Sequence, residues 1–317
     1  MKNTSRRDFI KSSSAIGSFF ILPSGLIAKA PNSKICTAHI GTGGKGRVDT
    51  MYLAKHSNVE VIGLCDVDYA HGKIDTWSKQ FKSATAFQDY REMLAKLDDK
   101  IDVVSISTPD HTHYPATMDA MERGKHIYLQ KPLTHKLKEA RQLAEFAAKK
   151  GLTTQMGIQN QSREAYRLAR HYIQTGVIGK VSKVYVWSFK TWGYDGEPFK
   201  EKSEIPDTLD WNLWLGTAPE HDYVSKVYHP GQWRKLLDFG CGTLGDMGIH
   251  IFDTPFKALD LKDPKWVEAD CREPNGFGHA EKNMVRYGFN STKYTTDDFT
   301  FTWWDGSDSP RHKNNPD

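Results

Sequence analysis

The run Gly41-Thr42-Gly43-Gly44-Lys45-Gly46 constrains this chain more than any other segment. Before it, Lys34 to Ile40 is a short apolar run that predicts a buried strand. After it, Val48, Met51, Tyr52 and Leu53 carry a helical pattern. Val59 to Cys65 is a second apolar, β-branched run, ending at Asp66, twenty positions beyond Gly46. Strand, G-x-G-x-x-G, helix, strand and acid in this order is a dinucleotide cradle, and each part has a physical task. Gly41 permits the tight turn, Gly43 lets backbone approach a pyrophosphate, and Gly46 lets the helix pack closely on the sheet. Gly44 belongs to the same turn. The helix N-terminus supplies N–H groups and a positive dipole end to phosphate. Asp66 is placed to accept hydrogen bonds from the adenosine ribose, and its charge repels a 2′-phosphate, so NAD is expected over NADP. A helix N-cap for the next segment is the other role Asp66 could fill.

The alternation continues. Ile101 to Ser107 predicts another buried strand, running into Thr108-Pro109-Asp110-His111-Thr112-His113. A helix follows through Ala116, Met118 and Met121 to Gly124. His126 to Leu129 is the next strand, ending at Gln130-Lys131-Pro132. A helix over 137–149 and a strand over 153–156 complete the series. Repeated β-α units of this kind build a parallel, doubly wound sheet whose ligands lie at the carboxyl ends of the strands. Both Thr108-Pro109 and Lys131-Pro132 fall at such ends.

Lys131 is extended by the proline after it, which directs the ammonium over the sheet edge into the expected cofactor crevice. A solvated surface charge is the bland reading. Asp246 and His250, spaced i, i+4 after the glycine-rich stretch Gly240 to Gly245, face one way on a helix. A histidine with a carboxylate one turn away can accept a proton near neutral pH. An ordinary surface ion pair is the plain alternative. A metal site would need a third ligand that the sequence does not offer, so no metal is expected.

Taken in order, Gly41-x-Gly43-x-x-Gly46, Thr108-Pro109 through His113, Lys131-Pro132 and Asp246-x-x-x-His250 resemble the Gfo/Idh/MocA oxidoreductases. The likeness runs from Lys34 to about Gly306. It implies an α/β Rossmann domain, taken as 31–157, and a C-terminal α+β substrate domain with an open-faced antiparallel sheet, taken as 158–317. It also implies a catalytic set of Lys131, Asp246 and His250, with Thr108, Pro109, His113 and Lys131 beside the nicotinamide cofactor. In the implied reaction His250 takes the proton of a sugar hydroxyl, Asp246 orients the imidazole and raises its pKa, and Lys131 stabilises the developing oxyanion. Leu209 to Gly216, Tyr228-His229-Pro230 and Gln232-Trp233-Arg234 are similar to a secreted branch of that family. Its substrates are sugars or glycosides, which Trp192, Tyr228, Trp233 and Arg234 would contact. Two departures stand out. Gln130 occupies the place of the usual glutamate before Lys-Pro, leaving Lys131 one negative neighbour fewer, and members of the branch continue well beyond position 317, so a truncated substrate domain is expected. A redox-neutral NAD-dependent glycosidase and an inactive sugar-binding protein are the rival readings.

The N-terminus adds a destination. Ser5-Arg6-Arg7-Asp8-Phe9-Ile10-Lys11, a short apolar run through Leu22 and Ala28-Lys29-Ala30 resemble a twin-arginine signal peptide over residues 1–30. That predicts export of the folded protein to the periplasm by the twin-arginine machinery. Five cations against Asp8 in this segment account for the whole formal charge of +4. The rest of the chain is neutral, which argues against nucleic acid as a partner. The four cysteines show no C-x-x-C spacing, and Cys36 and Cys65 are expected as small core residues. A homo-oligomer formed through the C-terminal sheet is the expected assembly.

Overall fold

The computed structural model describes residues 34–308, so the signal-peptide expectation over 1–30 lies outside the described residues. Strands β1 (Ile35–Ile40), β2 (Val59–Cys65), β3 (Thr85–Phe87), β4 (Val103–Ile106), β5 (His126–Leu129) and β6 (Thr154–Met156) form one sheet in the order β3-β2-β1-β4-β5-β6. All its pairings are parallel. Helices α1 (Gly44–Leu53), α2 (Ile74–Gln80), α3 (Tyr90–Lys96), α4 (Asp110–Glu122) and α5 (Leu137–Lys150) connect the strands. Strand order reverses between β1 and β4, and the crevice at that switch point is where a dinucleotide binds in such sheets. The core explains the apolar runs: Ala38, Ile40, Val104, Ile106, Ile127 and Leu129 are buried against Met93, Leu94, Ala116, Ala120 and Leu143. Cys65 is buried as expected, whereas Cys36 is only partly so.

After α6 (Glu164–Gln174), β7 (Val181–Ser188) opens a second sheet with β8 (Trp266–Asp270), β9 (Asn283–Gly288) and β10 (Thr295–Asp305), ordered β7-β10-β9-β8. The expectation of an antiparallel sheet is corrected here. β8–β9 and β9–β10 are antiparallel, but β7 pairs with β10 in parallel. Parallel neighbours need a long crossover, and residues 189–294 provide one, carrying α7 (Trp211–Leu215), α8 (Gly242–Ile251) and α9 (Asp253–Ala258) before β8 and β9. One face of the sheet packs Val186, Phe301, Trp303 and Val285 against Leu244, Met247 and Ile251 of α8. The other face is open, with Tyr185, Trp187 and Trp266 exposed. Among the described residues no helix is long and apolar enough to cross a membrane.

Candidate active site

The glycine turn is held by geometry that admits no side chains. Gly41 has φ +78°, and a Cβ there would lie 2.7 Å from the Ser107 carbonyl oxygen. A Cβ at Gly46 would collide with the Gly41 carbonyl, and one at Gly43 would meet the His71 imidazole. These contacts make α1 lie close against the sheet, with its N-terminus open to the cavity. We expect Gly46→Ala to abolish nucleotide retention and to destabilise the fold by about 3 kcal/mol, since the obstacle is backbone. A thermal melt and nucleotide extraction from the purified variant check this. Gly43→Val meets the His71 backbone carbonyl as well as its imidazole, so it should lose both cofactor binding and stability.

Asp66 does something the sequence did not suggest. One carboxylate oxygen accepts the Thr42 and Gly43 N–H groups at 2.8 and 3.1 Å, and the other accepts Asp68 N–H at 3.1 Å. Burial pushes its carboxyl above the usual range against these donors. Asp66 therefore ties the glycine turn to the end of β2, and it is not a helix N-cap, since Lys73 precedes α2. It still lines the cavity that runs from this turn across the switch point, with a volume of about 450 Å³.

Gly41, Gly43 and Gly44 stand at one end of that cavity; Thr108, Pro109, Lys131, Trp233 and Arg234 stand further along. The Thr108 hydroxyl is buried without a hydrogen-bond partner, the state of a group awaiting a ligand. Together with the side-chain-free cradle at residues 41, 43 and 46, it makes the cleft fit a dinucleotide. His113, expected beside the cofactor, does not line the cavity. It is buried, with its ring nitrogens 2.8 Å from the Pro132 carbonyl and 2.9 Å from the Thr108 carbonyl. Burial lowers its pKa to about 4, so the ring is neutral and donates its one N–H to one of the two. Its effect is to clasp the Thr108 and Pro132 loops together.

Lys131 projects from the end of β5 as expected, and its ammonium donates to the Asp246 carboxylate Oδ1 and carbonyl, both at 2.9 Å. Arg234 Nε donates to the same Oδ1 at 3.1 Å. Burial alone would raise the Asp246 carboxyl, but the two cations together hold it below the usual carboxylate range. Asp246 thus braces Lys131 and Arg234, where the sequence suggested that it orients His250. The His250 Nδ1 is buried without a partner. Burial first, and then the Lys131 cation, lower the His250 pKa, outweighing the opposite pull of Asp246. The expected upward shift is corrected to a downward one.

Of the expected sugar contacts, Trp233 and Arg234 line the cavity. The Arg234 guanidinium lies between two indoles, 4.2 Å over Trp233 and 5.4 Å from Trp192. Tyr228 is instead a core residue, packed among Trp211, Trp214 and Phe239. The branch signature Leu209 to Gly216 likewise forms α7 and this aromatic cluster.

Three groups went unnoticed in the sequence. Asp49 of α1, buried, accepts from Lys45, from Ser107 Oγ at 3.0 Å and from Gln130 Nε2 at 2.8 Å, and Gln130 Oε1 in turn accepts the Lys131 N–H. Gln130 is therefore the donor that a buried carboxylate on α1 requires. Asp68 and His229 pair at 3.0 Å, and Trp214 Nε1 donates to the other ring nitrogen of His229. Asp110, first residue of α4, is 2% exposed, lines the cavity and accepts the Cys241 N–H at 3.1 Å. The clue to it was its position directly after a strand-end Thr-Pro.

Burial, reinforced by the Asp246 charge, pushes the Asp110 carboxyl up to about 7. A raised folded-state pKa means that the native protein holds this proton tightly. The stability it confers is full below the unfolded carboxylate range and is lost as pH rises through about 7. Asp110→Asn keeps the acceptor for Cys241 without the charge. It should stabilise the protein by on the order of 2 kcal/mol in alkaline buffer and change little in acid. Urea unfolding at the two extremes measures the difference.

Residues 35–158 match the model of an oxidoreductase family with an NAD-binding Rossmann fold, and residues 166–296 match that of its C-terminal alpha/beta domain. The chain is 22% identical over 272 residues to D-glucoside 3-dehydrogenase of Escherichia coli (strain K12), covering 85% of this chain and 66% of that protein. It is 33% identical over 140 residues to scyllo-inositol 2-dehydrogenase (NAD(+)) of Bacillus subtilis (strain 168), covering 43% and 40%. Among solved structures, GenD2 from gentamicin A biosynthesis, in complex with NAD, superposes with TM-score 0.63 at 22% identity over 86% of this chain and 66% of that one. Myo-inositol 2-dehydrogenase from Lactobacillus plantarum gives 0.60 at 18% over 86% and 70%. The chain spans two thirds or less of the length of these two sequence relatives.

Proposed function

Because the chain belongs to the Gfo/Idh/MocA oxidoreductase family, we propose that it oxidises a hydroxyl of a sugar or glycoside with NAD. The observation that carries this reading is Lys131, which lines the same cavity as the glycine turn and is held there by its ion pair with Asp246. Bound NAD supplies the hydride acceptor. Lys131 donates to the hydroxyl oxygen and stabilises the negative charge that develops there, while Asp246 fixes the ammonium in place. His250, neutral because its pKa is lowered, is ready to take the hydroxyl proton. The alcohol leaves as a ketone, with one hydride on the cofactor and one proton on the protein.

Sugar dehydrogenases among the relatives support the substrate class in general terms. NAD in preference to NADP is part of the same proposal and rests on the Asp66 carboxyl at the end of β2. Export to the periplasm by the twin-arginine route rests on Arg6-Arg7 and Ala28-Lys29-Ala30. Assembly through the C-terminal sheet is supported by the exposed rings of Tyr185, Trp187 and Trp266.

A panel of glycosides, followed at once for NADH absorbance and aglycone release, tests the activity. NADH formation supports the dehydrogenase, whereas release without net NADH would assign the redox-neutral glycosidase. Neither signal, with sugar binding intact, would make the protein a binding module. The purified protein is also expected to yield NAD(H) on denaturation, since folded export lets the cofactor travel inside. Absence of nucleotide from well-folded protein would count against that.

A further inference from the structure

The sugar end of the cavity carries unbalanced charge. Lys131 and Arg234 both line it, and both converge on a single oxygen of Asp246. The other carboxyl nearby, Asp110, is buried and raised to about 7, so on the acid side of neutral it is largely uncharged. Two cations then face one anion. The remaining cations on the wall have partners of their own: Lys45 pairs with Asp49, and Arg91 with Asp89.

Arg234 is the cation with capacity left. Its Nε serves Asp246 and one terminal nitrogen donates to the Gly231 carbonyl at 3.3 Å, which leaves further N–H groups on the terminal edge. The bonds to Asp246 and Gly231, with the Trp233 ring at 4.2 Å, hold the guanidinium, and the side chain is 27% exposed against 14% for Lys131. A planar guanidinium with a fixed edge matches a carboxylate in two parallel hydrogen bonds. Neutral hydroxyls would satisfy the donors but leave the excess charge unmatched in a partly desolvated site.

We propose that the substrate is a sugar acid, a uronic or aldonic acid or a glycoside of one, whose carboxylate rests on Arg234 while one of its hydroxyls meets Lys131. This inference rests on the dehydrogenase reading above and narrows it.

The test compares each acid with its uncharged amide: D-glucuronate, D-galacturonate and D-gluconate, given to the NAD-loaded protein slightly below neutral pH. NADH formation gives kcat/KM, and calorimetry gives binding independently of turnover. The acid should exceed its amide by about 10- to 100-fold for at least one sugar, the scale of a charge-assisted hydrogen bond. Arg234→Gln should reduce that ratio to near one through KM, and Arg234→Lys should recover only part of it. Should Arg234→Gln fail to fold, the acid–amide comparison in the unaltered protein still decides. Amides or neutral glycosides handled as well as the acids would overturn the proposal. If nothing is turned over but the acids alone give binding heat, the anion site stands and the dehydrogenase reading falls. If no acid binds, the anion site is wrong whatever the activity toward neutral sugars.

Discussion

Replacing Lys131 with alanine is expected to lower kcat by about a thousandfold while bound NAD is retained. The ammonium is held at 2.9 Å by both the carboxylate and the carbonyl of Asp246, and it makes no hydrogen bond to the glycine turn among the described residues. Its loss removes the donor to the reacting oxygen and frees Asp246 from one of its two cations. Lys131→Arg restores charge but not shape, and should recover only a fraction of the rate. Single-turnover kinetics, with extraction of bound nucleotide, separate a chemical defect from a binding one. An alanine variant with unchanged kcat would make Lys131 a counter-ion of Asp246 and no more. Lost NAD with an intact fold would place it in the cofactor site instead.

The part of the fold legible in the sequence is the part built from local rules. Short β-branched runs, a glycine turn and helical spacing found β1, β2, β4, β5 and β6, because each is set by its own residues and, except at the edge strand β6, largely buried. The edge strand β3, of which only Phe87 is buried, was not read from the sequence. The parallel pairing of β7 with β10 depends on where the crossover over 189–294 returns, which no local pattern records. The site divides in the same way. Lys131 and Asp246 were recognisable as strand-end and helix-face residues, yet the bond between them spans 115 positions, and the i, i+4 spacing pointed Asp246 at His250 instead. Tyr228 shows the reverse error: an aromatic residue beside a probable site is as often core, and here five ring contacts place it there. Asp49 and Gln130 were legible only as a charged helix residue and an unusual neighbour of Lys-Pro. Their meaning appears when α1 folds back over the ends of β4 and β5.

The acidic limb of the rate profile should lie below the ordinary histidine range. If His250 accepts the proton, kcat/KM rises with pH through its ionisation. Burial and the Lys131 cation both disfavour the charged ring, so the limb is displaced to lower pH in spite of Asp246. Asp246→Asn removes the larger of the two carboxylate charges that help the imidazolium, Asp253 being the other, and leaves Lys131 less neutralised. The limb should therefore move lower still, and the rate should fall because Lys131 and Arg234 lose their brace. His250→Ala should erase the limb and cost about a hundredfold or more in rate, the scale of a positioned base. Asp110, titrating at about 7, contributes a separate inflection that Asp110→Asn should remove without moving the His250 limb. A surface pair of no catalytic consequence would instead give small rate effects and an unchanged profile in all three variants. The comparison holds when hydride transfer limits the rate, which a primary deuterium isotope effect on the transferred hydrogen establishes. With that effect expressed, a His250→Ala enzyme that kept the wild-type limb would move the base elsewhere. Asp110, a cavity-lining carboxyl pushed up to about 7, would then be the residue to replace next.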